Sequence, residues 1–227
     1  MVVNLFDLLK SMSIAMDFIN PNLNNHHIRV ANISYFLGRD LGLNNLDMKR
    51  LLTASLLHDI GGFSQKERID TLNFHISEWN RHDEIGGKIL EDSEIFADIA
   101  PVIFFHHKNY NKRKRFVVKE SDFLLSQIIN VSDRFEVLSK TLKLDEVIKF
   151  IGKHSGKMFW PDVVASLKKV VRKDIFNFEL KYLGIRFFED ELKQYNKVLS
   201  HRDLINLFSI FSKIIDFKSP FTCAHSI

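Results

Sequence analysis

The chain has 227 residues, 45% of them apolar and 12% aromatic with 21 Phe, enough for a packed core, which excludes general disorder and fibrous repeats. Lysine and arginine total 32 against 28 acids, a net charge of +4, so an anionic partner is permitted and the location of the excess matters more than its size. A lone cysteine, Cys223, excludes an intrachain disulfide and a cysteine-based metal cluster, and a reducing cytoplasm is the expected location.

The opening MVVNLFDLLKSMSIAMDF has no basic n-region, and Asp7, Lys10 and Asp17 interrupt its apolar run, so no secretory signal is expected. No later stretch approaches the roughly 20 apolar residues of a membrane span. Apolar residues recur at helical spacing through most of the chain while strand-like alternation is scarce, so the fold class is all-α, a bundle around one core. Residues 25–41 place Val30, Ile33, Phe36, Leu37 and Leu41 on one face and stop at Gly42. A second helix runs from Asn45 to about Ile60, with His58 and Asp59 in its last turn before Gly61-Gly62. Helices are predicted over 82–91, 93–107 and 121–139, with Pro101 kinking or splitting the second and Ser121 capping the third. LDEVIKFIGKH continues the pattern, Ser155-Gly156 marks a turn, and Pro161 begins another helix. Residues 175–198 carry no clear period, and a last helix starts at Ser200 with Asp203 in a capping-box variant.

Ten histidines punctuate these segments, mostly at helix ends and several beside an acid: His26-His27, His58-Asp59, His82-Asp83 and His106-His107. Imidazole nitrogen and carboxylate oxygen together suit Fe, Mn, Ni, Co or Zn. Two ions a few Å apart need about five to eight such ligands, with a bridging aspartate among them. Any single helical histidine is more often a surface or core residue, and His27, His75, His154 and His201 are assigned to that class. The joint pattern, four histidine sites on successive helices and an aspartate on a fifth, is what points to a metal.

The strings HHIRVA, LLTASLLHDIGG, HDEIGGKIL, IFFHHK and IINVSDRFEVL resemble the HD superfamily of phosphohydrolases in its HD-GYP branch, and SGKMFWPDVV is similar to that branch's late helix start. The resemblance spans roughly residues 20–175 and implies an all-helical HD-domain bundle holding two or three ions, often iron or manganese, with cyclic di-GMP as the chief substrate. It implies His26, His58, Asp59, His82, His106, His107 and Asp133 as metal ligands, with Asp59 as the bridge and His58-Asp59 as the catalytic pair. Fe or Mn is the expected pair of divalent ions, Ni, Co, Mg and Zn being the other choices, and they would activate a water for in-line attack at phosphorus.

The chain departs from that branch on the substrate side. Gly62 stands where a lysine follows the His-Asp-Ile-Gly string, and Lys108 stands where a glutamate binds a third metal. NYNKRKRF, residues 109–116, replaces the Asp-Gly-x-Gly-Tyr-Pro loop, and Glu136 takes the place of a second aspartate. Lys108, Lys112, Arg113, Lys114, Arg115 and Lys119 carry six positive charges in this stretch, leaving the remaining chain slightly acidic. The loop is either a solvated surface or a cationic guide for phosphate, with Lys108, Lys112 and Arg113 as candidate substrate contacts.

The terminal SPFTCAHSI resembles the entrance to a second HD-GYP domain. The expected organisation is therefore an HD-like domain over 1–199 and a connecting helix with the start of a second domain over 200–227. Two functions are in view: a metal-dependent phosphohydrolase or phosphodiesterase acting on a nucleotide or cyclic dinucleotide, and a catalytically degenerate regulatory module that binds metal or nucleotide or packs on a catalytic domain. Membrane partners are not expected, nucleic acid lacks the aromatic interleaving it needs, and a homodimer is left open.

Overall fold

The computed structural model describes residues 4–17, 25–62, 82–176 and 198–218. Among them every regular element is helical, and the only pairings of strand type are isolated bridges, Asn4 with Val198 and Ser155 with Phe159. His75, the tail around His225 and most of the unassigned 175–198 stretch lie outside the described residues. No described helix is long and apolar enough to cross a membrane.

Helix α1 (Leu5–Asp17) buries Leu5, Leu9, Met12 and Met16 at helical spacing while Asp7 faces solvent. Helix α2 (His26–Asp40) is buried along nearly its whole length and ends in a Schellman motif. Gly42 takes φ +73°, its N–H reaching Arg39 O at 3.2 Å, and Leu43 N–H reaches Gly38 O at 3.0 Å. Helix α3 (Asn45–Leu57) is capped by Asn44, whose side chain accepts from Asp47 N–H at 2.9 Å. It ends earlier than the sequence suggests. Residues 58–61 form a turn closed by Ile60 N–H to Leu57 O and Gly62 N–H to Asp59 O.

Helix α4 (His82–Glu91) matches its prediction, whereas the 93–107 helix is shortened to α5 (Ala100–Phe105). Pro101 starts this helix and does not kink one, because its missing N–H costs nothing in a first turn. Residues 94–99 are turns, held by Ser93, whose hydroxyl accepts from Ile95 and Phe96 N–H at 3.3 Å. A 3₁₀ turn, Tyr110–Arg115, follows. Helix α6 (Glu120–Ser139) begins one residue before Ser121, with Lys119 at the cap position, and is buried from Asp122 to Leu138 apart from Leu124. Helices α7 (Leu144–Lys153), α8 (Pro161–Val170) and α9 (His201–Lys218) complete the described bundle.

α2 and α6 pack together at the centre, with α3, α8 and α1 against α2 and with α5 and α7 against α6. Val30, Ile33, Leu37, Leu51, Ile128, Phe135 and Leu167 are among the fully buried residues of the one hydrophobic cluster. Ser200 and Asp203 bond reciprocally at the head of α9, as the capping pattern predicts, and α9 buries Leu207 and Ile210 in the same cluster.

Candidate metal centre

Every expected ligand comes from a helix end or from the central helix. His26 opens α2, His58 and Asp59 occupy the turn after α3, and His82 opens α4. His106 and His107 follow α5, and Asp133 lies midway along α6. Histidine and aspartate at such ends can turn inward without breaking a helix ladder. The structure brings all seven together. One ligand atom from each of Asp59, His82, His106 and His107 falls within 4.8 Å of the others, and the same holds for His26, His58 and Asp59. Asp133 joins through His26, whose Nε2 lies 3.5 Å from Asp133 Oδ1 and 3.8 Å from Asp59 Oδ2. Asp59 Oδ1 lies 3.3 Å from His82 Nε2 and 3.5 Å from His58 Nε2, so this carboxylate belongs to both groups.

The approach of these segments depends on glycine. A Cβ built on Gly61 would sit 2.1 Å from His82 O and 2.4 Å from Gly86 N. The turn after Asp59 therefore runs against the first turn of α4 backbone to backbone, which sets the distance between Asp59 and His82.

Three of the rings are fixed from behind. His26 Nδ1 donates to Glu136 Oε2 at 2.7 Å, His58 Nδ1 to Ser55 O at 2.9 Å, and His106 Nδ1 to Ile103 O at 2.6 Å. For His58 and His106 the bond selects the tautomer whose Nε2 is a lone pair, the arrangement that metal-ligating histidine uses, and it fixes the same orientation for the His26 ring. His107 and His82 meet Nε2 to Nε2 at 2.8 Å, one donating to the other. Among the described residues, His58 Nε2, His106 Nε2, His107 Nδ1 and Asp133 Oδ2 are buried with no hydrogen-bond partner. Buried ligand atoms left in this way fit a cation, because burying them unsatisfied costs free energy that coordination removes.

Protonation divides the rings into two groups. Burial pushes His58 down to about 4, against the opposing charge of Asp59, and it holds His106 and His107 well below the ordinary imidazole range, helped by neighbouring rings. Burial also works against charged His26 and His82. For His26 the Glu136 carboxylate, with Asp133 and Asp59, outweighs burial and raises the ring to about 9; for His82 the bond and charge of Asp59 raise it too. Burial would raise Glu136, yet His26 and then Lys140 bring it down to about 2. Asp59 is likewise held below the usual carboxylate range by His58, His82 and His27 despite its burial. Ionised carboxylates beside neutral His58, His106 and His107 are the state a divalent ion requires, while His26 and His82, held protonated by their carboxylates, would release a proton on binding one.

Several residues at the site were not expected. His27, assigned with the surface or core histidines and not to the ligands, is buried beside the rings of His26 and His58, at centroid distances of 5.4 and 5.1 Å. Asp83 and Glu84 flank His82 and bind Lys108, and Arg134 is buried directly after Asp133. Only the acidic HDE run hinted at the first two. Of the candidate substrate contacts, Lys112 is exposed, while Lys108 and Arg113 are engaged within the protein. Arg113 donates to Phe116 O and Val118 O and stacks 5.2 Å from the Phe123 ring. His154 bonds Phe150 O and His201 is exposed, as expected of residues outside the site. A cavity of about 450 Å³ between α4, α5 and the start of α6 is lined by Gly87, Phe104, Phe105, Val118 and Asp122 among others; none of the seven candidate ligands reaches it.

Comparison with known proteins agrees with this geometry. The family model described as "HD domain" matches residues 24–138, just over half of the chain. A curated relative, the 3'3'-cGAMP-specific phosphodiesterase 1 of Vibrio cholerae serotype O1, is 21% identical over 99% of this chain. The chain spans 56% of that relative's length. A crystal structure of a cyclic GMP-AMP specific phosphodiesterase from V. cholerae superposes with a TM-score of 0.78 at 21% identity, over 100% of this chain and 63% of that one, which shows a shared fold. With the matched segment running from just before His26 through Asp133 to the end of α6, the chain belongs to the HD domain family.

Proposed function

We propose that this domain is a metal-dependent phosphodiesterase of the HD-GYP branch acting on a cyclic dinucleotide, of the cyclic GMP-AMP or cyclic di-GMP type, with a pair of divalent ions, iron or manganese, as cofactor. The observation that carries the reading is the sharing of Asp59 by two ligand groups, one containing His58 and the other His106, each with Nε2 buried and without a hydrogen-bond partner. In this reading His26, His58 and Asp59 hold one ion, Asp59, His82, His106 and His107 hold the other, and Asp133 closes the set beside His26. When bound, such ions supply Lewis acidity, activating a water and neutralising phosphoryl oxygens.

The chain's own residues do the positioning. Glu136 fixes the His26 ring, Ser55 O and Ile103 O fix those of His58 and His106, and Asp59 ties the two groups together. The named substrate class of the Vibrio relative supports a cyclic dinucleotide, and the exposed Lys112, Lys114 and Arg115 are the cations available to attract it. Ile205 and Phe208, exposed on α9, are the apolar surface that a following HD-GYP domain would cover.

A second reading, a regulatory module that keeps the centre without turnover, is favoured by the internal engagement of Lys108 and Arg113, two of the three candidate substrate contacts. Protein loaded anaerobically with iron or manganese, analysed for metal and assayed with 3'3'-cyclic GMP-AMP, cyclic di-GMP and a generic phosphodiester, separates the two. Turnover abolished in Asp59→Ala is the expected result. Bound metal with no turnover of any of the three substrates would leave the regulatory reading, and absence of metal would defeat the ligand assignment itself.

A further inference from the structure

Tyr110 heads the 3₁₀ turn and Trp160 stands at the cap position of α8. The two segments are clipped together by their backbones, Tyr110 N–H bonding Met158 O and Asn111 N–H bonding Lys157 O, both at 3.0 Å. The clip sets the Tyr110 ring against the Trp160 ring, with centroids 5.4 Å apart and planes tilted by 43°. It also brings Lys112, the residue after Asn111, next to Lys157 in space. Both rings are half-buried, both lysines are exposed, and neither lysine pairs with a carboxylate among the described residues. The indole is held from two sides, by the buried Phe123 ring at 6.2 Å and by its own Nε1, which donates to Asp162 Oδ2 at 3.3 Å.

The basic run by itself interleaves too few aromatic residues to read a base, and the fold supplies Trp160 from a distant segment. A fixed, partly exposed aromatic pair offers its surface to a flat ring, and adjacent unpaired ammonium groups offer charge to a phosphate. A nucleotide carries both groups. One aromatic pair, with the exposed Asp162 beside it, suits a single base and not the run of bases in a strand. We propose that Tyr110, Trp160, Lys112 and Lys157 form a nucleotide-binding surface, the base stacking on the two rings and the phosphate pairing with the two ammonium groups. None of the four belongs to the seven candidate ligands, so the inference stands or falls apart from the metal reading. It gives Lys112, a candidate substrate contact, a second cation and a base platform beside it.

The test is fluorescence titration of the metal-free chain in a Trp79→Phe background, which leaves Trp160 as the reporter. Guanosine 5'-monophosphate should quench Trp160 saturably, more tightly at low salt than at high. Guanosine, which lacks the phosphate, should bind more weakly and without that salt dependence. Tyr110→Ala should weaken binding of the monophosphate about 5- to 100-fold, and Tyr110→Phe should restore it. Lys112→Gln with Lys157→Gln should lower the affinity to that of guanosine; both side chains are exposed, so this variant carries the test if Tyr110→Ala fails to fold. Asp59→Ala should bind the monophosphate as wild type does, and a loss there would move the nucleotide to the metal centre and overturn the assignment. No saturable quenching, equal affinity for guanosine, or an affinity that neither the tyrosine nor the lysine variant changes would overturn it too. So would binding of a single-stranded hexanucleotide without binding of the monophosphate.

Discussion

Glu136 shows how much a single buried carboxylate can govern. It is 3% exposed, holds His26 at 2.7 Å, and is itself steadied by Lys140 at 2.9 Å and Arg29 at 3.4 Å. A carboxylate behind a ligating imidazole fixes the ring and raises its basicity. Glu136→Gln keeps the shape but removes the charge, and Mn²⁺ affinity measured by competition titration should fall about 10- to 100-fold. Asp40 is the corresponding case for stability. Burial pushes its carboxyl up, but bonds from Lys169 at 2.7 Å and Ser166 at 3.1 Å, with Lys173 nearby, hold it below its ordinary value of 3.8. A folded value below the unfolded one stabilises the protein above the ordinary carboxyl range, and that contribution is lost as pH falls through the folded value. Since Lys169 is 67% exposed, solvent screening keeps the pair under about 1 kcal/mol. Chemical denaturation of Asp40→Asn should show that deficit at pH 7 and a shrinking one as pH falls below the ordinary carboxyl range; a deficit independent of pH would contradict the assignment.

Among the elements, the turn that follows α3 is tightly constrained where it meets the first turn of α4. Gly61 is required by contact and not by backbone angle, since its absent Cβ leaves room for His82 O and Gly86 N. Both obstructing groups are backbone, so neither can rotate away. Gly61→Ala should cost about 1–3 kcal/mol in urea denaturation. It should also weaken Mn²⁺ binding, because Asp59 and His82 must separate. A variant with full stability and full affinity would show that the turn can shift without consequence. The 3₁₀ turn is similarly ordered. Tyr110 and Asn111 N–H bond Met158 O and Lys157 O at 3.0 Å, and Arg113 ties the far end to Val118 O at 2.8 Å. Lys112, Lys114 and Arg115 are thus presented outward from a pinned loop.

At the scale of the molecule, the positive excess gathered on that loop acts through solvent, and its influence depends on ionic strength. Replacing Lys112, Lys114 and Arg115 by glutamine, with Arg113 left in its structural place, should weaken cyclic dinucleotide binding and flatten its salt dependence. Unchanged affinity across the salt range would return the loop to a plain solvated surface. The core holds the other elements in register. Leu37 is fully buried in α2 and belongs to the hydrophobic cluster of the described residues. Leu37→Ala should cost about 2–5 kcal/mol by denaturant titration.

The sequence by itself determined the helical class and named the segments whose candidate ligands the fold brings together. Apolar spacing is a property of consecutive residues, and ligand chemistry is a property of residue type. It also located the Gly42 and Gly156 turns, both with positive φ, and the capping pair at Ser200 and Asp203. The length of the α5 helix was less legible, because a proline within an apolar period can either kink a helix or begin one. Only the tertiary structure decided that Glu136 backs His26 across 110 positions, that Lys108 reaches Glu84 across 24, and that Gly61 is a contact glycine. Each of these depends on which distant backbone or carboxylate the packed helices bring within about 3 Å, a distance that no spacing along the chain encodes.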